Sequence, residues 1–164
     1  MRKKTKNLVL GALICGLYLT LCTLQQVLLP GTTSSMIQFR VAEAVCVLAM
    51  FTPAAIPGLT IGCVMFNLGM GSVWDAVIGG LATLLAAWGG YLTRKWTIKG
   101  FPIIGLLLPV LTNALLVGLE LNYFYGGGFW LNAVCVAIGE FGVLMIPGAA
   151  LYYTVKQHRL LEKF

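Results

Sequence analysis

Long apolar runs, broken at a few short polar or proline–glycine sites, set the pattern of this chain. The runs predict helices over about 8–29, 36–51, 54–70, 73–92, 101–124 and 129–155. Each break has a local cause. Pro30-Gly31 ends the first run, and Gly31 to Ser35 (GTTSS) forms a polar loop. Thr52-Pro53 ends the second, because proline removes a backbone donor and clashes with the preceding turn. Pro57 falls in the first turn of the third helix, where proline is tolerated. The glycines at 126–128 separate the last two runs. A helix of about 20 apolar residues crosses the ~30 Å hydrocarbon layer of a bilayer. The second and third runs, of about 16 residues each, reach only about 24 Å at ~1.5 Å per residue. They fit two short spans or one re-entrant hairpin.

Composition fixes the class. Of 164 residues, 59% are hydrophobic and 10% are charged, against roughly 25% charged in soluble domains. The chain therefore reads as an all-α integral membrane protein, one transmembrane domain over 1–164 with six helices and short turns. No room is left for a soluble catalytic domain. The first helix is too long for a signal-peptide core, and no small-residue cleavage site follows it.

The net charge of +6 is not a nucleic-acid patch, because the basic residues cluster at helix ends. Arg2, Lys3, Lys4 and Lys6 precede helix 1. Arg94, Lys95 and Lys99 fill the helix 4–5 loop. Lys156, Arg159 and Lys163 follow helix 6. The connections near 30–35, 71–72 and 125–128 carry no Lys or Arg. Positive residues mark the cytoplasmic side, so both termini are expected to be cytoplasmic. The five cysteines have no metal-ligand spacing and His158 stands alone, so neither a metal nor a cofactor is expected. No phosphate-binding glycine loop is present. If transport is ATP-driven, the ATPase is another chain.

Ionisable residues inside a span cost roughly 2.5–3.5 kcal/mol each on insertion scales. Here they are Arg40, Glu43, Asp75, Glu120 and Glu140, joined by Asn67, Asn113, Asn122 and Asn132. The predicted topology gathers them in the outer half, with only Asn113 and Glu140 reaching toward the middle. The inner half is nearly all aliphatic. This asymmetry predicts a pocket open to the outside above a closed floor, and argues against a continuous channel. Arg40 and Glu43, at i and i+3, share a helix face and serve as an internal ion pair or as pocket lining. Asp75 is a surface anchor at a helix start or a ligand contact. Trp74, Tyr123, Phe124, Tyr125, Phe129 and Trp130 surround the same end, as an interfacial belt or as a stacking surface for a flat heterocycle. A carboxylate accepts two parallel hydrogen bonds from a guanine-like edge. On helix 1, Gly11/Cys15 and Ala12/Gly16 form two small-xxx-small pairs, which allow close helix approach within the bundle or to a partner subunit.

The runs Gln38-Phe39-Arg40-Val41-Ala42-Glu43-Ala44 and Phe51-Thr52-Pro53-Ala54-Ala55-Ile56-Pro57-Gly58-Leu59 resemble the QueT family. So do Ile61-Gly62-Cys63 with Asn67, Asn113-Ala114 with Val117-Gly118-Leu119-Glu120-Leu121, and Phe129-Trp130 with Gly139-Glu140. The resemblance covers essentially the whole chain. It implies a six-helix substrate-binding subunit (S component) of an energy-coupling factor (ECF) transporter, taking up queuosine precursors across a bacterial cytoplasmic membrane. It also implies a partner module of one transmembrane coupling protein and two ATPases, docked through an AxxxA-like motif on helix 1. Here that stretch is Ala12 to Gly16, with Gly11 just before it, Cys15 within it and glycine in the second position. Queuosine precursors are 7-deazaguanines. The resemblance places Glu120 or Glu140 on the guanine-like edge and Asn67 and Asn132 on its carbonyl or ring nitrogens. It puts Trp130 or Tyr123 in stacking contact, with Arg40 and Glu43 lining or bracing the pocket. Two alternatives remain at this stage: an S component for another flat vitamin such as riboflavin or thiamine, and a stand-alone ion-coupled carrier. No nucleophile–base constellation supports an enzyme.

Overall fold

The structure, a computed structural model, describes residues 3–32, 37–70, 72–158 and 160–161. Arg2, the loop residues Thr33 to Ser35, the expected helix start at Met36, Gly71, Arg159 and Lys163 lie outside the described residues.

The described residues form a run of helices: α1 (Lys3–Leu28), a 3₁₀ helix (Val41–Met50), α2 (Ala55–Gly69), α3 (Val73–Thr93), α4 (Ile103–Tyr125), α5 (Phe129–Val143), a π-helical turn (Leu144–Gly148) and α6 (Ala149–His158). Among the described residues the nearest thing to a sheet is one isolated bridge, Ile98 to Phe101. Four helices are long and apolar enough to cross a membrane: Lys4–Leu28, Val73–Thr93, Ile103–Tyr125 and the continuous run Phe129–His158. Their outward faces carry Leu13, Leu24, Val77, Leu115 and Ile138 in the open. So large an apolar exterior needs lipid or a partner against it. Pro147 sits in the π turn, whose wider winding absorbs the hydrogen bond that proline cannot donate.

The second predicted helix needs correction. Residues 37–40 are not helical, and Arg40 is extended at φ −100° and ψ 95°. The following ten residues wind as a 3₁₀ helix, far longer than the usual 3–4 residues. Arg40 therefore precedes the helix and does not share a helical face with Glu43. The apolar pattern of this stretch is blind to the difference, because Ala42 to Met50 are all buried.

Consecutive helices pack in order, α1 on α2, α2 on α3, α3 on α4 and α4 on α5, while the 3₁₀ helix touches all six α-helices. It is the central pillar. Close approach is built in between α1 and α2. A Cβ on Gly58 would fall 2.5 Å from the Gly11 carbonyl oxygen, so the two backbones meet where any side chain would collide. One end of the bundle is greasy. Val47, Met50, Leu106, Val110, Leu144, Ala149 and Tyr152 form one cluster there, and Leu10, Leu48, Ala54, Ala87 and Val155 belong to the adjoining one. The polar side chains gather at the other end.

Candidate functional site

The non-helical segment before the pillar delivers Arg40, and α1 holds that segment in place. Gln25 is buried. Its amide nitrogen donates to the Phe39 carbonyl and to Thr32 Oγ1 at 3.0 Å. Its amide oxygen accepts from the Val41 N–H at 2.8 Å. One side chain thus replaces the ladder partner that an extended segment would otherwise lack. On the opposite side the segment presses on α5, where a Cβ at Gly139 would lie 2.1 Å from the Gln38 carbonyl oxygen. Only glycine fits there.

Glu43 opens the pillar and is 1% exposed. The fully buried Tyr18 hydroxyl donates to its Oε1 at 2.5 Å, and the Cys46 thiol donates to its Oε2 at 3.1 Å. Side chains at i and i+3 eclipse in a 3₁₀ helix, which brings the thiol over the carboxylate. Arg40 reaches inward, with Nη1 4.0 Å from Cys63 Sγ. Glu43, Glu120 and Glu140, on three different elements, lie within electrostatic reach of its guanidinium. Its Nε is buried without a hydrogen-bond partner.

Two further carboxylates complete the cluster. Glu140 on α5 lies beside Asn113 of α4 and near Glu43. Glu120 on α4 faces the Asp75 carboxyl of α3. Both are nearly fully buried. Glu140 Oε2, Asn113 Nδ2 and Glu120 Oε1 have no partner. Glu120 also lines a groove of about 570 Å³ between α3 and α4, with Trp74, Tyr123 and Phe124 around it.

The remaining candidates hold the frame. Asn67 Nδ2 donates to the Asp75 carbonyl at 3.0 Å and to Cys63 Sγ at 3.4 Å. Asp75 lies in the first turn of α3, and its N–H donates to the capping Ser72 Oγ at 3.1 Å. An acidic residue there suits the positive end of the helix dipole. Asn132 Nδ2 donates to the Gly126 carbonyl at 2.8 Å, tying down the glycine loop. Trp130 and Tyr123 are 75% and 82% exposed, so neither ring enters the buried cluster, although Tyr123 borders the groove. On α1, Gly11 is buried against α2, while Ala12 and Gly16 are exposed. Cys15 is half-buried, and its backbone lies along Gly58 and Gly62.

Sequence reasoning missed the roles of Tyr18, Gln25 and Gly139. A tyrosine and a glutamine inside an uncharged first predicted helix were the available signal for the first two. Gly139 stood only in a run shared with the family, because its partner is backbone far away in sequence.

The cluster has two open acceptors, Glu120 Oε1 and Glu140 Oε2, and two open donors, Arg40 Nε and Asn113 Nδ2. Buried polar atoms are almost always paired, so four orphans in one cluster leave room for a polar guest. No three His, Cys, Asp or Glu among the described residues are grouped to hold a metal ion.

Residues 8–157 match the model of the QueT transporter family. A curated relative from Lactococcus lactis subsp. cremoris, named queuosine precursor transporter QueT, is 28% identical, over 88% of this chain and 89% of that protein. No solved structure matches. The match to the family model runs through nearly the entire sequence, and the chain belongs to the QueT transporter family.

Proposed function

We propose that this protein is the S component of an ECF transporter, capturing a 7-deazaguanine queuosine precursor from outside a bacterial cytoplasmic membrane. The observation that carries this reading is the set of four buried, unpaired polar atoms on Arg40, Asn113, Glu120 and Glu140. Leaving such a group unpaired costs about 1–3 kcal/mol, and a ligand that pairs them recovers that cost. A guanine edge offers an amino group, a ring N–H and a carbonyl in a row. Glu140 accepts from the first two, and Asn113 Nδ2 or Arg40 Nε donates to the third. Tyr18 and Cys46 already occupy Glu43, which braces the pocket. The relative's name supports the substrate class.

In this reading all six predicted segments cross the bilayer and both termini are cytoplasmic. The 3₁₀ helix covers roughly 20 Å, and the lead-in over 38–40 adds roughly 10 Å. Together they approach the hydrocarbon thickness. Non-helical backbone at that depth is tolerated where protein satisfies it, and Gln25 does so. The coupling protein of the ECF module docks on the exposed Ala12/Gly16 face, with Gly11 and Cys15 keeping α2 close behind it. ATP hydrolysis belongs to the partner ATPases.

Purified protein is expected to bind queuine and its precursor bases without ATP. Glu140→Gln is expected to weaken all of them by more than about tenfold, or about 1.4 kcal/mol. Unchanged affinity in that variant takes Glu140 off the ligand. In liposomes, the chain alone should show no uptake on a proton or sodium gradient, and uptake under such a gradient would favour a stand-alone carrier.

A further inference from the structure

The two open carboxylates sit in chemically different company. Glu140 has an amide beside it, Asn113. That pairing of acceptor with donor matches an edge that carries both donors and a carbonyl. Glu120 has a second carboxyl beside it, Asp75. Two carboxyls in contact share a proton, so the pair keeps one negative charge and the open acceptor Glu120 Oε1, which matches a cationic group that only donates.

The surroundings of Glu120 narrow that group further. It is 4% exposed, yet it lines the groove between α3 and α4 and is the only charged residue there among the described residues. Its Oε1 has no partner. The other walls are leucine, isoleucine and aromatic side chains. Trp74 and Phe124 stand 6.0 Å apart across the two helices. A low-dielectric wall strengthens an ion pair, and aromatic faces attract a cation. A primary or secondary ammonium on a short apolar arm satisfies each of these conditions.

We infer that the α3–α4 groove, with Glu120 at its base and Asp75 beside it, is a subsite for a cationic amine arm on the ligand. This rests on the substrate reading above. The 7-substituent of a 7-deazaguanine leaves the five-membered ring, away from the amino and N1–H edge assigned to Glu140. The subsite therefore selects precursors that carry an aminomethyl or substituted aminomethyl group at that position. A nitrile there is an acceptor only, and it meets acceptor oxygens.

The test is a binding series on the purified full chain in detergent, with three bases: 7-deazaguanine, its 7-cyano derivative and its 7-aminomethyl derivative. The aminomethyl base is expected to bind more than about tenfold tighter than the cyano base, as for a hydrogen bond to a charged group. Glu120→Gln is expected to bring the aminomethyl and cyano bases to within about threefold of each other, and a tenfold preference that survives the substitution overturns the inference. Asp75→Asn, a half-buried position, is expected to reduce the preference partway, and serves if Glu120→Gln does not fold. Equal affinity of the wild type for the aminomethyl and cyano bases, or a preference for cyano, overturns the inference but leaves the substrate class standing. Binding of none of the three overturns both.

Discussion

The two ends of the bundle are built on opposite rules. At the greasy end, Leu106, Leu144 and Val47 are buried with no polar partner to satisfy, and shape alone decides the fit. At the polar end, Glu43 is closed off by Tyr18 and Cys46, while Glu140, a carboxylate near it, keeps an open oxygen. On the proposed reading, burial by itself does not mark a ligand contact, and burial without a partner does. Three changes probe that division.

Leu106→Ala, at the greasy end, is expected to cost about 3.5 kcal/mol of stability, as large-to-small core substitutions do. Thermal unfolding in detergent should show that loss, while the Kd for a bound deazaguanine stays put. A large change in Kd would mean that the two ends are coupled. Gly139→Ala should cost about 2 kcal/mol by overpacking, and here affinity falls as well. The new methyl meets the Gln38 carbonyl and pushes the segment that presents Arg40. Ligand titration alongside the melt separates the two effects, and unaltered affinity would sever Arg40 from the site. Tyr18→Phe removes one donor from Glu43. Its cost is about 1.5 kcal/mol, with a modest loss of affinity because Glu43 then competes for the neighbouring donors. An unchanged melt would show that Glu43 finds another partner.

Much of the architecture was legible in the chain because lipid imposes a simple rule on it. Apolar runs and their proline or glycine breaks located α2, α3, α4 and the start of α5 to within about two residues, within the ordinary spread of helix ends. The second segment was misjudged because its winding depends on contacts from elsewhere. Gln25, 14 and 16 residues earlier on α1, satisfies the backbone that an α-helix would have satisfied internally. Intramembrane charge pointed to Arg40, Glu120 and Glu140, since such residues are too costly to keep without use. It did not tell which carboxylate was already taken. That answer lies in the Tyr18 hydroxyl, and a tyrosine in an apolar helix reads as ordinary packing until its partner is seen. Asn67 and Asn132 were likewise visible as polar, but their bonds to the Asp75 and Gly126 carbonyls depend on how the chain turns back on itself.

The ten-residue pillar Val41–Met50 also sets how this sequence can vary. Three residues per turn place successive side chains about 120° apart. Losing or gaining one residue there would rotate Glu43 by a third of a turn against Met50 and slide it by about 2 Å. Swaps among small apolar residues leave that register intact. Length, more than identity, is what this stretch must keep.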